Sequence, residues 1–186
     1  MGGTYGNSNG GQSAVRIASA VTLLGDSVHV GEASVTKRFA KAEEVVLCWL
    51  ATVDASNRPN VTPKEIFAEI GDGLLVIADI ASARSVQNIR ANPAVCVSVI
   101  DIFLQRGRKL EGTAEIIAPD HPDFTKLVAP LLRMTADKFP IRHVISVRIE
   151  RASPILAPSY LFFPERSEEE LQSDAYRTYG VQPMKG

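Results

Sequence analysis

The residues best suited to chemistry lie in Ile80-Ala81-Ser82-Ala83-Arg84-Ser85, where an apolar run gives way to two hydroxyls and a guanidinium. If a helix starts there, its first N–H groups lack intrahelical partners and its dipole favours negative charge. Arg84 then adds a forked donor to an anion such as phosphate. The alternative is plain capping, in which Ser82 or Ser85 satisfies those N–H groups and Arg84 is solvated. Lys64 is the second candidate. Alternation from Val61 to Ile70 places it on one strand face with Thr62, Ile66, Ala68 and Ile70. A cation on such a face needs an anionic or electron-rich partner, or a path to water past Pro63. Thr62 can hydrogen-bond the same ligand. Asp79 and Asp101 are acids inside apolar runs, each able to accept hydrogen bonds from a ligand or to pair with a nearby arginine. Arg106, Arg108 and Lys109 around Gly107 read as a basic hairpin tip, either touching an acidic group or simply solvated.

Other chemistries are excluded by what the chain lacks. His29, His121 and His143 have no ligand-like spacing, and no HExxH or Cys/His cluster occurs, which removes a zinc enzyme. There is no GxSxG elbow, P-loop or strand-linked GxGxxG. The chemistry therefore has to come from a borrowed cofactor, and no catalytic side chain is identified. The 186 residues are 45% hydrophobic and 22% charged, with 20 basic against 21 acidic residues for a net charge of −1. That balance offers no broad attraction to nucleic acid or a membrane surface. Cys48 and Cys96 sit in apolar β-like runs as buried thiols, which excludes a disulfide scaffold. The chain has no apolar run of about 18 residues, and Ala14 to Leu24 is broken by Arg16 and lacks the basic flank of a secretory signal, so a cytoplasmic protein is expected.

Strands must position these residues. Val45 to Val53 is almost continuously apolar and must be covered on both faces; the turn Asp54 to Pro59 leads into the alternating run Val61 to Ile70, and Gly71-Asp72-Gly73 turns into Leu74 to Ile80. A short helix spans Ser82 to Ala91 and ends at Asn92-Pro93. Val95 to Phe103, Leu110 to Ile117 and His143 to Glu150 complete six strands. A second helix follows Asp120, its apolar stripe running from Phe124 to Leu132, with Pro130 expected to kink or split it and the helix to cap one end of a barrel. Residues 1–13 are Gly-rich and read as a disordered tail, 14–44 as a hairpin-and-helix extension, 45–160 as the barrel domain and 161–186 as a C-terminal tail. The fold class is mainly β: a six-stranded antiparallel barrel with α-helices, which avoids exposed edges by closing on itself.

Ordered along the chain, Ala51 to Asp54, Arg58 to Lys64, Leu75 to Asp79, Ser82 to Ser85, Asn88 to Pro93 and Glu111 to Ala114 resemble the pyridoxamine 5′-phosphate oxidase-related, FMN-binding split-barrel family over about Val45 to Tyr160. The resemblance implies a homodimer with FMN in grooves between subunits, acting on a small-molecule substrate. It places Thr62, Pro63 and Lys64 along the flavin ring and ribityl chain, and Ser82, Ala83, Arg84 and Ser85 at the phosphate. Asp79 joins this cofactor-binding set, and Asp101 to Arg106 reach the flavin from the second subunit. Many members carry Lys where this chain has Ser85. The Arg/His motif with which the vitamin-forming oxidase grips its substrate is missing from Tyr160 to Gly186, so oxidation of pyridoxamine phosphate is not expected. A deazaflavin-dependent reductase, and a flavin- or haem-binding protein without turnover, are the alternatives; haem would need His121, His143 or a tail residue as ligand.

Overall fold

The computed structural model describes residues 45–183 except Asp72 and Asp137. The tail, hairpin and helix expected within residues 1–44 lie outside the described residues. Strand β1 (Cys48–Val53) turns through Asp54, whose Oδ1 accepts from the Ser56 and Arg58 N–H groups at 2.8 and 2.9 Å, into β2 (Pro59–Lys64). Strands β3 (Phe67–Ile70) and β4 (Leu74–Asp79) form the next hairpin, with Gly71 at φ 60°, a left-handed conformation that glycine adopts without a Cβ clash. Helix α1 (Ala83–Ala91) follows, and Asn92 takes the extended conformation required before Pro93, which ends it. Then come β5 (Ala94–Asp101), β6 (Arg106–Ile117), α2 (Phe124–Thr135), β7 (His143–Leu156), α3 (Ser159–Phe162) and α4 (Glu168–Tyr179).

All seven strands belong to one antiparallel sheet, in the order β2-β1-β5-β6-β7-β4-β3. The mainly β, split-barrel class stands, with seven strands instead of six. The extra strand arises because Val61 to Ile70 is not one strand. The chain bends at Glu65 and Ile66, so that β2 pairs with β1 while β3 pairs with β4 at the opposite edge. The bend also overturns the expected face. Phe67 faces the barrel core, whereas Ile66, Ala68 and Ile70 pack outside it with α2, and Lys64 belongs to neither apolar cluster, meeting only Ile66 of the three, in a shared groove wall.

The barrel core holds Leu50, Leu75, Ile77, Val97, Val99, Leu110, Ile145 and Val147, all fully buried, with Ile89 of α1 inserted among them. Gly112, at a bulge in β6, lies so close to β7 that an added Cβ would come within 1.9 Å of the Arg148 carbonyl oxygen. Helix α2 does not cap the barrel end. Leu127, Val128 and Leu131 cover Val76 and Ala78 of β4 and Val144 of β7, making a second apolar layer on the outside of the sheet. Nor does Pro130 split it, since α2 runs unbroken from Phe124 to Thr135. Proline lacks one N–H donor, and the packing of this apolar stripe outweighs that loss.

The basic cluster is not a hairpin tip. The turn is Ile102 to Gln105, and Arg106, Arg108 and Lys109 already lie in β6. Each has a carboxylate partner: Arg106 with Glu168, Arg108 with Glu69, and Lys109 with Glu111 at 3.9 Å. No helix among the described residues is long and apolar enough to cross a membrane.

Candidate functional site

Strand β2 is a sheet edge, where Pro59 and Pro63 are tolerated because no further strand needs their missing N–H groups. Its inner side carries Asn60, Thr62 and Lys64, in register with Thr52, Leu50 and Cys48 of β1. These polar side chains meet the N-terminal half of α1. The Thr62 and Ser85 hydroxyls are 3.2 Å apart, Lys64 Nζ donates to Ser82 Oγ, and Asn88 Nδ2 donates to Thr52 Oγ1 at 3.0 Å. Ser85, Asn88 and Thr52 are almost completely buried, so these bonds offset the loss of water around their polar atoms.

A groove of about 430 Å³ opens over this seam, lined by Thr62, Pro63, Lys64, Ser82, Arg84 and Ser85 among others. Such volumes suit small-molecule ligands, for which about 300 to 1,000 Å³ is usual. At its α1 end the capping alternative is not realised: no side chain caps the first turn, and Ser82 Oγ is engaged by Lys64 instead. Asp79 Oδ1 accepts from the Ser82 N–H at 3.0 Å, one position before the helix. The Ala83, Arg84 and Ser85 N–H groups have no hydrogen-bond acceptor among the described residues. Arg84 is exposed and makes no ion pair among them. Unpaired N–H groups, the positive end of a helix dipole and a free guanidinium together suit an oxyanion.

Lys64 is only 8% exposed. Burial pulls its pKa below that of an ordinary lysine, and the nearby Asp79 carboxylate opposes that shift. Its ammonium has three donors, and Ser82 takes one. The groove thus presents the Lys64 ammonium beside Ser82 at the α1 start and Arg84 two residues further on, with hydroxyls that retain spare donor and acceptor capacity.

The other site candidates are distributed differently. Asp79 and Ala83 line a neighbouring cavity. Asp79 does not pair with an arginine: its Oδ2 is 2.8 Å from His143 Nδ1. Asp101 Oδ1 accepts from the Phe103 and Leu104 N–H groups at 2.9 Å and stabilises the β5–β6 turn, while Arg106 pairs with Glu168 of α4. Neither lines the groove or the neighbouring cavity. Phe139, on the segment after α2, joins the groove wall, as do Glu65 and Ile66 at the bend. Alternation put Ile66 on the face of Thr62 and Lys64, but sequence patterning did not single out Phe139 or Glu65 for the site, because a residue brought in by a loop or a bend leaves no periodic signal.

The chain matches the family model described as pyridoxamine 5′-phosphate oxidase over residues 35–155. The chain belongs to this family. Among solved structures, it is similar to an FMN-binding protein from Syntrophomonas wolfei subsp. wolfei, with a TM-score of 0.58 and 15% identity over 77% of this chain and 96% of that one. It is similar to HupZ from Group A Streptococcus (TM-score 0.50, 22% identity, 60% and 89% covered) and to HutZ, the haem storage protein from Vibrio cholerae (TM-score 0.50, 20% identity, 67% and 93% covered). At these identities the likeness is one of fold, and it supports the split-barrel description. No curated protein matches the chain.

Proposed function

We propose that this member of the family is a homodimeric FMN-binding oxidoreductase that acts on a small molecule other than pyridoxamine phosphate. The observation that carries the reading is the α1 start, where three backbone N–H groups and Arg84 stand without acceptors beside the Thr62–Lys64 edge. In this reading Arg84 and the Ala83 to Ser85 N–H groups hold the phosphate, and Ser82 and Ser85 supply hydroxyls. Thr62, Pro63 and Lys64 flank the rest of the cofactor. When bound, the isoalloxazine supplies the redox chemistry, so no side-chain acid or base is required for electron transfer.

A second copy fits the outer side of β1 and β2. Trp49 is 44% exposed and Val61 56% exposed on neighbouring strands, and Trp49 is in register with Pro63 of the groove edge. Covering this surface would bring a partner directly against the groove and give the open site a second wall. Asp101 and Arg106, at the two sides of the β5–β6 turn, line neither cavity of their own chain described above and are the residues offered to the partner's site in this reading.

The test is the visible spectrum of the purified protein together with an FMN titration of wild type and Arg84→Ala. Wild type takes up FMN with flavin absorption, and Arg84→Ala binds it about 10- to 100-fold more weakly, the usual loss for a charge-assisted bond to phosphate. Protein that stays colourless after incubation with FMN, or an Arg84→Ala affinity equal to wild type, refutes the proposal. A Soret band in place of flavin absorption replaces it with the haem-binding reading.

A further inference from the structure

A cavity of about 300 Å³ lies along a different stripe of α1 from the Arg84 groove. Ala83, Val86, Gln87 and Arg90 form one wall, at the i, i+3, i+4 and i+7 spacing of a single helix face. The facing wall is the end of β4, with Asp79, and the start of β7, with Arg142 and His143. Arg90 and Arg142 are exposed, and neither guanidinium has an ion-pair or hydrogen-bond partner among the described residues. Arg90 in the last turn of α1 suits the helix dipole, but that does not account for Arg142 on the same cavity.

The one carboxylate present does not neutralise them. Asp79 is 3% exposed, one of its oxygens accepts from the Ser82 N–H at 3.0 Å, and the other faces His143 Nδ1 at 2.8 Å. A carboxylate only accepts, so Nδ1 is the donor and the ring is held in one orientation, while Nε2 has no hydrogen bond among the described residues. The cavity therefore presents two unneutralised cations, a buttressed imidazole, the Gln87 side chain and an apolar patch at Val86. A cleft lined by one sign of charge focuses its field and concentrates counter-ions.

We propose that this cavity is a second anion site, distinct from the Arg84 groove, which takes the carboxylate or phosphate group of a small metabolite through Arg90, Arg142 and His143. It stands independently of the flavin reading, since none of those three residues lines the groove.

The test is calorimetric titration of the full chain with inorganic phosphate and, separately, succinate, using wild type, Arg90→Ala/Arg142→Ala and Arg84→Ala, while NMR follows the His143 ring protons of all three. Wild type binds at least one probe with a shift of the His143 signals, the double variant needs at least about tenfold more probe for that shift, and Arg84→Ala, which alters only what the groove takes up, shifts the His143 signals over the same concentration range as wild type. The preferred probe shows whether the group is a phosphate or a carboxylate. Both arginines are exposed, so their truncation leaves the core intact, and Arg142→Gln alone gives a milder check. Failure of both probes to bind, an unmoved His143 ring in wild type, or a His143 shift that Arg84→Ala loses and the double variant keeps overturns the proposal. FMN titration of the double variant separates the two sites, because it leaves flavin uptake unchanged if they are distinct.

Discussion

Two outer faces of the same sheet have opposite fates. On β4 and β7, Val76, Ala78 and Val144 are covered by Leu127, Val128 and Leu131 of α2, so that β4 is buried on both sides. On β1 and β2, inner residues such as Cys48 and Leu50 are fully buried, but Trp49 and Val61 remain exposed on the outer side. Both faces are apolar; the chain supplies a helix for one and none of its described elements for the other. The first face therefore contributes to the stability of a single copy. The second contributes only if something binds there, which is why the proposed dimer and the proposed cofactor groove meet at the β2 edge.

The largest effect is expected on the covered face. Leu131→Ala removes a fully buried side chain and should destabilise the fold by about 3 kcal/mol, within the usual range for such cavities, at every protein concentration. Chemical denaturation at two concentrations checks it, and a concentration-dependent midpoint shift would mean that α2 is not a purely intrachain cover. On the bare face, Trp49→Asp should leave the unfolding of a single copy little changed but weaken self-association by about 30-fold or more, roughly 2 kcal/mol for loss of an aromatic anchor. Sedimentation equilibrium reads this directly. Wild type that is monomeric, or a variant that associates as tightly, breaks the comparison.

The sequence made the strand β1, the hairpins and the end of α1 legible because each has a local cause: β-branched runs, Gly71, and proline after Asn92. The uncapped α1 start was also within reach as one of two readings, since the residue types Ser82, Arg84 and Ser85 allow either outcome and only the position of Lys64 decides between them. What alternation could not show was the bend at Glu65 and Ile66, which reverses the face seen by every later residue of that run. Helix α2 reads correctly as amphipathic, yet its stripe does not say which side of the sheet it covers. Helix α4 was missed although Ser167 and Glu170 form a capping box, with Glu170 N–H donating to Ser167 Oγ at 3.2 Å and Ser167 N–H to Glu170 Oε2 at 2.9 Å. Its low apolar content hid it. It is held by tertiary contacts: the Tyr176 ring lies 4.8 Å from Phe103, and Glu168 pairs with Arg106.

The two cysteines sharpen the contrast within β1 and β5. Cys48 lies in the barrel core, and burial pushes its thiol up to about 12 from 9.0, with Lys64 opposing. The folded state thus keeps a proton that the unfolded chain releases above pH 9.0, so stability falls as pH rises through 9.0 towards 12. By pH 10 this amounts to about 1 kcal/mol, and Cys48→Ala should remove that part of the slope in urea melts. Cys96 is in register with Ala51 on the opposite, outer side and is half-buried. Burial foremost, with the Glu111 carboxylate, raises its pKa, so it alkylates more slowly than a free thiol yet faster than Cys48. If the bare face is where two copies meet, the Cys96 labelling rate should drop as protein concentration rises, and Trp49→Asp should abolish that dependence. A rate that is the same at every concentration in wild type would mean that the outer side of β1 and β5 is not the contact surface, and that the groove must work without a second wall.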